Sequence, residues 1–174
     1  MSRISFLDGF RLERLKRDHP RGRFRCGQDE VERWLATNAL QHQEKQLSVT
    51  KVLVDRDGSI AGHYTLATGQ VDFNELPADL VKHLPRRVLP VAILAWLGVS
   101  KVSQGQGLGR LLMAQALRDC YEAGQTFAFI AVILDCVNDA AKAFYQQWDF
   151  EPLPGHPYRL FLSAKRLEAM MEGP

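Results

Sequence analysis

The sequence predicts a mixed α/β fold, and three observations carry that prediction. Short β-rich runs and amphipathic stretches are interspersed without settling into a repeating βαβ unit. Two segments, LPVAILAWLGV and FAFIAVIL, are almost unbroken apolar runs, the pattern of strands covered on both faces. Between them, VSKVSQGQGLGRLLMAQAL sets Gly105, Gly107 and Gly109 at alternate positions before a leucine-rich segment, which reads as strand, tight turn and helix.

The elements follow in order. A first strand is expected in FRLERLK, and HPRGRF after it reads as a loop. Over residues 29–46, Val31, Trp34, Leu35 and Ala39 recur at helical spacing with charges between them, so this stretch is expected to be an amphipathic helix. VTKVLVD and IAGHYTLATGQV flank RDGS, a turn signal between β-rich runs, and predict a hairpin. A short helix near PADLVKHL precedes the central strand in LPVAILAWLGV. The helix after the glycines is expected to run to about Ala123, with Gly124 as its C-terminal cap. FAFIAVIL is the next buried strand, and NDAAKAFYQQW a helix with Asn138 or Asp139 as N-cap. PLPGHP is then a loop and YRLFLSA the last strand.

Composition bounds the function. The chain of 174 residues suits one well-buried domain over 1–174, with residues 1–9 and 165–174 expected to be mobile. Its 46% hydrophobic and 24% charged residues are those of an ordinary soluble protein, and its longest apolar run is broken by Pro90 and Gly98, so no membrane span is expected. MSRISFLDGF lacks the apolar core of a secretory signal, which makes the cytoplasm the expected location. Cys26, Cys120 and Cys136 are odd in number and have no zinc-ligand spacing, so a reduced compartment and no metal are expected. Residues 1–25 hold eight Arg/Lys against three acids, a basic segment that either attracts phosphate-rich partners or is a solvated, partly disordered arm.

The glycine segment carries the chemistry. It is not a dinucleotide-binding GxGxxG, since Arg110 stands where the last glycine would be, and it lacks the GK of a P-loop. What remains is a turn that delivers the start of a helix, where unpaired N–H groups and the positive end of the macrodipole suit a phosphate. The competing reading is a loop whose glycines serve close packing.

Gln104, Gly107 and Gly109 form Q-x-x-G-x-G between a buried strand and a Leu-rich helix, with Tyr145 on a helix downstream. This arrangement resembles the acetyl-CoA-binding motif of the GNAT superfamily of N-acetyltransferases. The resemblance implies the GNAT fold: a mixed, mostly antiparallel central sheet with helices on both faces and a splayed central strand pair. It implies acetyl-CoA as acetyl donor, no metal, a cradle for the diphosphate from Gln104, Gly105, Gln106, Gly107, Leu108, Gly109 and Arg110, and strand contacts to the pantetheine arm from Leu97 and Val99. FRCGQDEVERWL, HYTLATGQV, LAWLGVSKVSQGQGLG and AAKAFYQQWDF extend the likeness to the GNAT toxins of bacterial toxin–antitoxin pairs. That resemblance implies acetylation of the α-amine of aminoacyl-tRNA, a homodimer, and an antitoxin with a ribbon-helix-helix domain. Four positions depart from the family pattern: Arg25 for Asp, Trp96 for Arg, Ser100 for Asp, and Asp149 for the glycine of a GF pair. An acetyltransferase acting on a small amine or a protein N-terminus, and a non-catalytic acyl-CoA-binding module, are the alternatives.

Acyl transfer from a thioester needs a neutral amine and a proton for the departing sulfur. Neutralising a lysine of pKa about 10.4 at pH 7 costs roughly 4 to 5 kcal/mol, whereas an α-amine near 7.7 to 8.0 costs about 1 kcal/mol. An aminoacyl ester therefore needs little help from a protein base. Tyr145 is the candidate acid for the thiolate, against the reading of an ordinary half-buried tyrosine. Asn138 either contacts coenzyme A or caps its helix, and a strand N–H such as that of Val99 is the expected oxyanion donor. Lys82, Arg86 and Arg87 either grip tRNA phosphates or form a solvated basic edge. Cys136 reads as a small buried thiol rather than an acyl carrier, and His63 as a packed histidine rather than a base. Trp34, Trp96 and Trp148 read as core or interface anchors.

Overall fold

The computed structural model describes residues 5–173. Seven strands are hydrogen-bonded in the order β1-β2-β3-β4-β5-β7-β6: β1 (Arg11–Arg14), β2 (Val49–Val54), β3 (Ile60–Asp72), β4 (Val88–Val99), β5 (Ala131–Asp135), β6 (Glu151–Leu153) and β7 (His156–Ser163). Chain contacts fall into two compact units. One holds the chain up to Ala67 with Leu94–Leu117, and the other holds Thr68–Ile93 and Arg118 onward.

In the first unit, β1 pairs antiparallel with β2, Arg11 opposite Val54, and β2 pairs antiparallel with β3, Val49 opposite Leu66. The predicted hairpin forms because the Asp55 carboxylate accepts the amides of Asp57 (2.9 Å) and Ser59 (3.0 Å), which closes the RDGS turn. The helix expected over residues 29–46 is present as α1 (Asp29–Arg33), a five-residue π-helical turn (Trp34–Asn38) and α2 (Ala39–Glu44). It buries Val31, Leu35, Ala39 and Leu40 against Val52, Val54 and Ile60 of the sheet. A fully buried leucine or valine contributes about 1.5–3 kcal/mol, so this stripe anchors the helix despite its irregular middle. The basic N-terminal segment is not a loose arm over its described part: Leu15 and Phe24 are buried in the same cluster. Arg3 lies outside the described residues.

In the second unit, β5 runs parallel to β4, with Ala92 opposite Val132 and Ile93 opposite Ile133, and β7 runs antiparallel to both β5 and β6. α3 (Ala78–Val81), α5 (Asp139–Gln146) and α6 (Ala164–Glu172) complete it, while α4 (Leu108–Gly124) begins in the first unit and ends in this one. Several expectations are corrected here. FAFI is not strand: the amides of Thr126 and Phe127 both bond back to the Ala123 carbonyl, so the turn closing α4 takes Phe127, while the Ile130 amide donates to the Pro90 carbonyl (3.0 Å) just ahead of the strand, which starts at Ala131. Gly124 is not a left-handed cap but the last residue of α4, where a side chain would come within 3.1 Å of the Phe129 ring. PLPGHP is not loop throughout, since it contains the end of β6 and the start of β7. After β7, where no further element is expected from sequence, Ser163 caps α6 by accepting the Arg166 amide (3.1 Å), and Leu167 is buried. Asp149 holds φ 66°, a left-handed conformation that aspartate tolerates, and its carboxylate pairs with Arg166. The mobility expected of residues 1–9 and 165–174 falls in part on residues 1–4 and 174, which lie outside the described residues.

Candidate active site

The glycine loop is built from the first unit alone. After β4, Lys101–Ser103 form a single 3-10 turn, and Gly105 (φ 83°) and Gly107 (φ 80°) are left-handed, which only glycine adopts without strain. Among the described residues, no heavy atom beyond the two chain neighbours comes within 4 Å of where a Cβ would sit at either position, so conformation rather than crowding requires glycine there. The first bond of α4 runs from the Leu111 amide to the Gly107 carbonyl (3.2 Å), so the amides of Leu108, Gly109 and Arg110 precede the helical ladder. Gly109 differs: it lies inside α4, where its Cβ would meet Val99 Cγ2 at 3.7 Å, an ordinary packing distance.

Gln104 acts as a strut. Its side-chain nitrogen donates to the carbonyls of Val99 (3.0 Å) and Cys26 (3.1 Å), and the Lys101 amide donates to the Arg25 carbonyl (2.8 Å). The residues just after Arg25 are held in turn by Glu32, whose carboxylate accepts the amides of Cys26 (3.1 Å) and Gly27 (3.0 Å). Those bonds, the Gly27 amide first, hold the Glu32 carboxyl below its usual range. The bracing of the loop by FRCG is not visible in the sequence pattern. The signal available was Gly27, left-handed at φ 95°, followed five residues later by an acid.

The departures from the family pattern have local partners. Arg25 folds onto its own backbone, donating to the carbonyls of Phe24 (2.8 Å) and Gly22 (2.9 Å). Trp96 stacks on Trp34 with centroids 5.2 Å apart and planes 12° from parallel, and the Trp34 indole donates to Thr65 Oγ1 (3.2 Å). Such a stack is worth about 0.5–1.5 kcal/mol beyond burial, so both tryptophans serve this unit's core. The Ser100 amide bonds to the Ala61 carbonyl (2.8 Å). Leu97 and Val99 are half-buried on the last stretch of β4.

His63 is fully buried, its ring edge-on to Phe24 at 5.0 Å, and among the described residues neither ring nitrogen has a hydrogen-bond partner. Burial pushes its pKa down to about 3, far too weak a base to take a proton from an ammonium group. The sign follows: the unfolded histidine protonates below about 6.5 while the folded one stays neutral, so stability is full above that pH and falls as pH drops toward 3. Between pH 7 and pH 5, wild type is expected to lose about 2 kcal/mol more than His63→Leu in urea denaturation. Equal losses would show that His63 is not held neutral.

The second unit positions Tyr145. It sits on α5, 9% exposed, edge-on to Phe144 (5.3 Å) and Phe150 (6.2 Å). Burial first, then the neighbouring Cys136, push its pKa well up, so the phenol is protonated across the physiological range. Cys136 is half-buried and its thiol is also raised by burial, which leaves it a poor nucleophile at neutral pH. Asn138 caps α5, its side chain accepting the Ala141 amide at 2.8 Å. Lys82, Arg86 and Arg87 are exposed, and the Arg86 guanidinium lies 5.6 Å over the Phe73 ring. Among the described residues no helix is long and apolar enough to cross a membrane, and no cluster of three or more His, Cys, Asp or Glu could hold a metal ion.

Comparison with known proteins gives a consistent answer. A family model described as Acetyltransferase (GNAT) family matches residues 12–150. A tRNA-acetylating toxin of Mycobacterium tuberculosis is 32% identical over 148 residues, covering 85% of this chain and 88% of the relative. Among solved structures, a tyrosine-to-phenylalanine mutant of KacT superposes with TM-score 0.86 at 24% identity, over 93% of this chain and 99% of that one. AtaT complexed with acetyl-methionyl-tRNAfMet gives 0.84 at 24% identity, again over 93% and 99%.

Proposed function

Because the chain belongs to the acetyltransferase (GNAT) family, we propose that it transfers the acetyl group of acetyl-CoA to the α-amine of an aminoacyl-tRNA and thereby blocks translation. The observation that carries the donor half is the left-handed pair Gly105 and Gly107, which leads into the amides that precede the helical ladder at the start of α4. Residues 104–110 grip the diphosphate through the backbone. Arg110 adds charge, and the backbone of Leu97 and Val99 lines the pantetheine arm. Asn138, already a helix cap, offers coenzyme A its remaining polar atoms.

The chemistry assigned to the chain is modest. The neutral α-amine attacks the thioester carbonyl, a C–N bond forms as the C–S bond breaks, and the amine proton is lost to water. A strand amide, that of Val99, stabilises the oxyanion. Tyr145 gives its phenolic proton to the departing thiolate, a role for which a protonated, buried phenol is suited. Lys82, Arg86 and Arg87 hold tRNA phosphates by charge. The tRNA-acetylating relative supports the acceptor, and a solved complex of AtaT with the C-terminus of its antitoxin AtaR supports a cognate antitoxin. The same reading makes the chain a single catalytic domain. It works as a homodimer in the bacterial cytoplasm, with a ribbon-helix-helix antitoxin.

Labelled acetyl-CoA offered to charged tRNA, uncharged tRNA, spermidine and a peptide together tests the acceptor. Label is expected in charged tRNA; label confined to spermidine or peptide would assign the enzyme to small amines or protein N-termini. Replacing Arg86 and Arg87 together by alanine is expected to raise KM for charged tRNA about ten-fold. The salt dependence should flatten, and KM for acetyl-CoA should stay within two-fold. Equal loss for both substrates would remove these arginines from tRNA binding.

A further inference from the structure

The basic N-terminal segment takes no part in the reaction proposed above, yet it is folded around an open cavity of about 510 Å³ within the first unit. His19, Pro20, Arg21, Gly22, Arg23 and Ala36 line this cavity, with no carboxylate among them. The frame is held at several points. Leu15 and Phe24 are buried on either side, Arg21–Arg23 form a 3-10 turn, and the Arg25 guanidinium clamps that turn through the carbonyls of Gly22 (2.9 Å) and Phe24 (2.8 Å). Ala36, at the centre of the π-helical turn, puts only a methyl group on the cavity wall.

The charges on this frame divide into matched and unmatched. Arg11 pairs with Glu13 (3.2 Å) and Arg17 with Glu44 (2.8 Å). His19 is satisfied at both nitrogens and neutral: Nδ1 accepts the Lys16 amide (2.8 Å), so the proton sits on Nε2 and is donated to Glu13 (2.8 Å). Arg21 and Arg23 stay unmatched. Among the described residues neither guanidinium has an acceptor, and Arg21 Nε is sealed from solvent without one. Arg14 and Lys16, both exposed, also lack an acid partner among the described residues, and exposed Asp18 is the only other acid over residues 14–23. Like charges held on one short turn repel each other, so an anion seated between them would turn a cost into a gain.

We propose that Arg21 and Arg23 form a binding site for a backbone phosphate of the tRNA, in addition to Lys82, Arg86 and Arg87. This rests on the function proposed above and adds a second hold on the same acceptor. Guanidinium groups offer paired N–H donors that match phosphate oxygens, so two of them on a preset turn suit a phosphodiester. Such a contact positions a nucleic acid without telling one base from another. The 3′-phosphate of coenzyme A has the same chemistry, but the glycine loop has cations of its own: Arg110, and Lys101 just ahead of it. The turn is nevertheless joined to that loop, because Cys26, three residues after Arg23 and at most about 11 Å of chain away, accepts the Gln104 side chain. Four unmatched cations over residues 14–23 also suit more than one phosphate, which a polymer supplies and the single 3′-phosphate of coenzyme A does not. The polyanion that the proposed reaction already brings to the enzyme is tRNA.

The test measures fluorescence polarisation of labelled, uncharged tRNA on the full-length protein, beside calorimetry with acetyl-CoA. Arg21→Gln with Arg23→Gln is expected to weaken tRNA binding roughly ten-fold at low salt and to flatten the slope of log affinity against log salt by about 1.5, with acetyl-CoA affinity within two-fold. Arg21→Lys with Arg23→Lys, which keeps the charge and loses the fork, should keep the slope and recover part of the affinity. Arg23→Gln alone, at an exposed position, serves if the double variant fails to fold, and should weaken tRNA binding about three-fold. Unchanged tRNA affinity and slope in a folded variant would overturn the proposal, as would a lysine pair no better than the glutamine pair. Acetyl-CoA affinity that falls to the level of dephospho-coenzyme A would give the pocket to the donor's 3′-phosphate instead. Loss of binding to an oligoglutamate peptide with tRNA binding intact would give it to an acidic protein, and either result would overturn the proposal. Wild type that binds tRNA but acetylates no charged tRNA would overturn the acceptor reading alone; wild type that binds no tRNA would overturn both.

Discussion

Tyr145→Phe is expected to bind acetyl-CoA with a KM within about three-fold of wild type and to lose at least a hundred-fold in kcat. The reasoning separates the ring from the hydroxyl. Phenylalanine keeps the edge contacts with Phe144 and Phe150 that hold α5 in place. Among the described residues the Tyr145 hydroxyl has no hydrogen-bond partner, so its removal leaves no polar group stranded. What is lost is the proton for the thiolate, and positioned acids contribute about 10²–10⁴-fold. Steady-state rates with saturating charged tRNA, beside calorimetric binding of acetyl-CoA, make the comparison. Full turnover in the variant would take the acid role from Tyr145; a parallel collapse of binding would make the residue structural.

The second large effect belongs to Gly107→Val. At φ 80° a β-branched residue costs roughly 1–3 kcal/mol, and with no neighbour within 4 Å the loop can relieve that strain only by turning its peptide planes. Turning them points the amides away from the diphosphate. Two charge-assisted hydrogen bonds lost, at about 1.5 kcal/mol each, weaken acetyl-CoA binding about a hundred-fold. Core packing of α4 rests on Leu108, Leu112 and Met113, all buried, so the melting temperature should fall by only a few degrees. Titration calorimetry reads the first quantity and thermal unfolding the second. Unchanged affinity would show that the loop does not bind through its backbone.

Where the sequence was legible, a local signal and its tertiary setting agreed. The RDGS hairpin, the Asn138 cap and the turn before α4 are each specified within a few residues by Asp, Asn or Gly chemistry, and each formed. The long apolar strand β4 was visible because burial on both faces removes alternation. What stayed hidden depends on distant partners. Phe127 to Ile130 look like strand by composition, yet the bonds closing α4 claim Phe127, and Ile130, bonded to the Pro90 carbonyl, stands just ahead of β5. α6 is short and charged, and it is held by Leu167 and by an ion pair to Asp149, which lies far back in the sequence. At the site, the glycines announced themselves. The bracing of their loop by Arg25, Cys26 and Gln104 did not, because a glutamine reaching a carbonyl 78 positions away leaves no periodic trace. The pocket at Arg21 and Arg23 was invisible for the same reason: only the packing of the π-helical turn beside this segment brings Ala36 to them.

The chemical identity of the product decides most directly among the possible acceptors. After incubation of a charged tRNA pool with acetyl-CoA and the enzyme, nuclease digestion releases the terminal aminoacyl-adenosines for mass spectrometry. The expected product is an N-acetyl-aminoacyl-adenosine, with the acetyl group on the α-amine and nothing added to uncharged tRNA. Aminoacyl-adenosines that all return unmodified, from enzyme that acetylates a polyamine or a peptide in the same tube, would contradict the account.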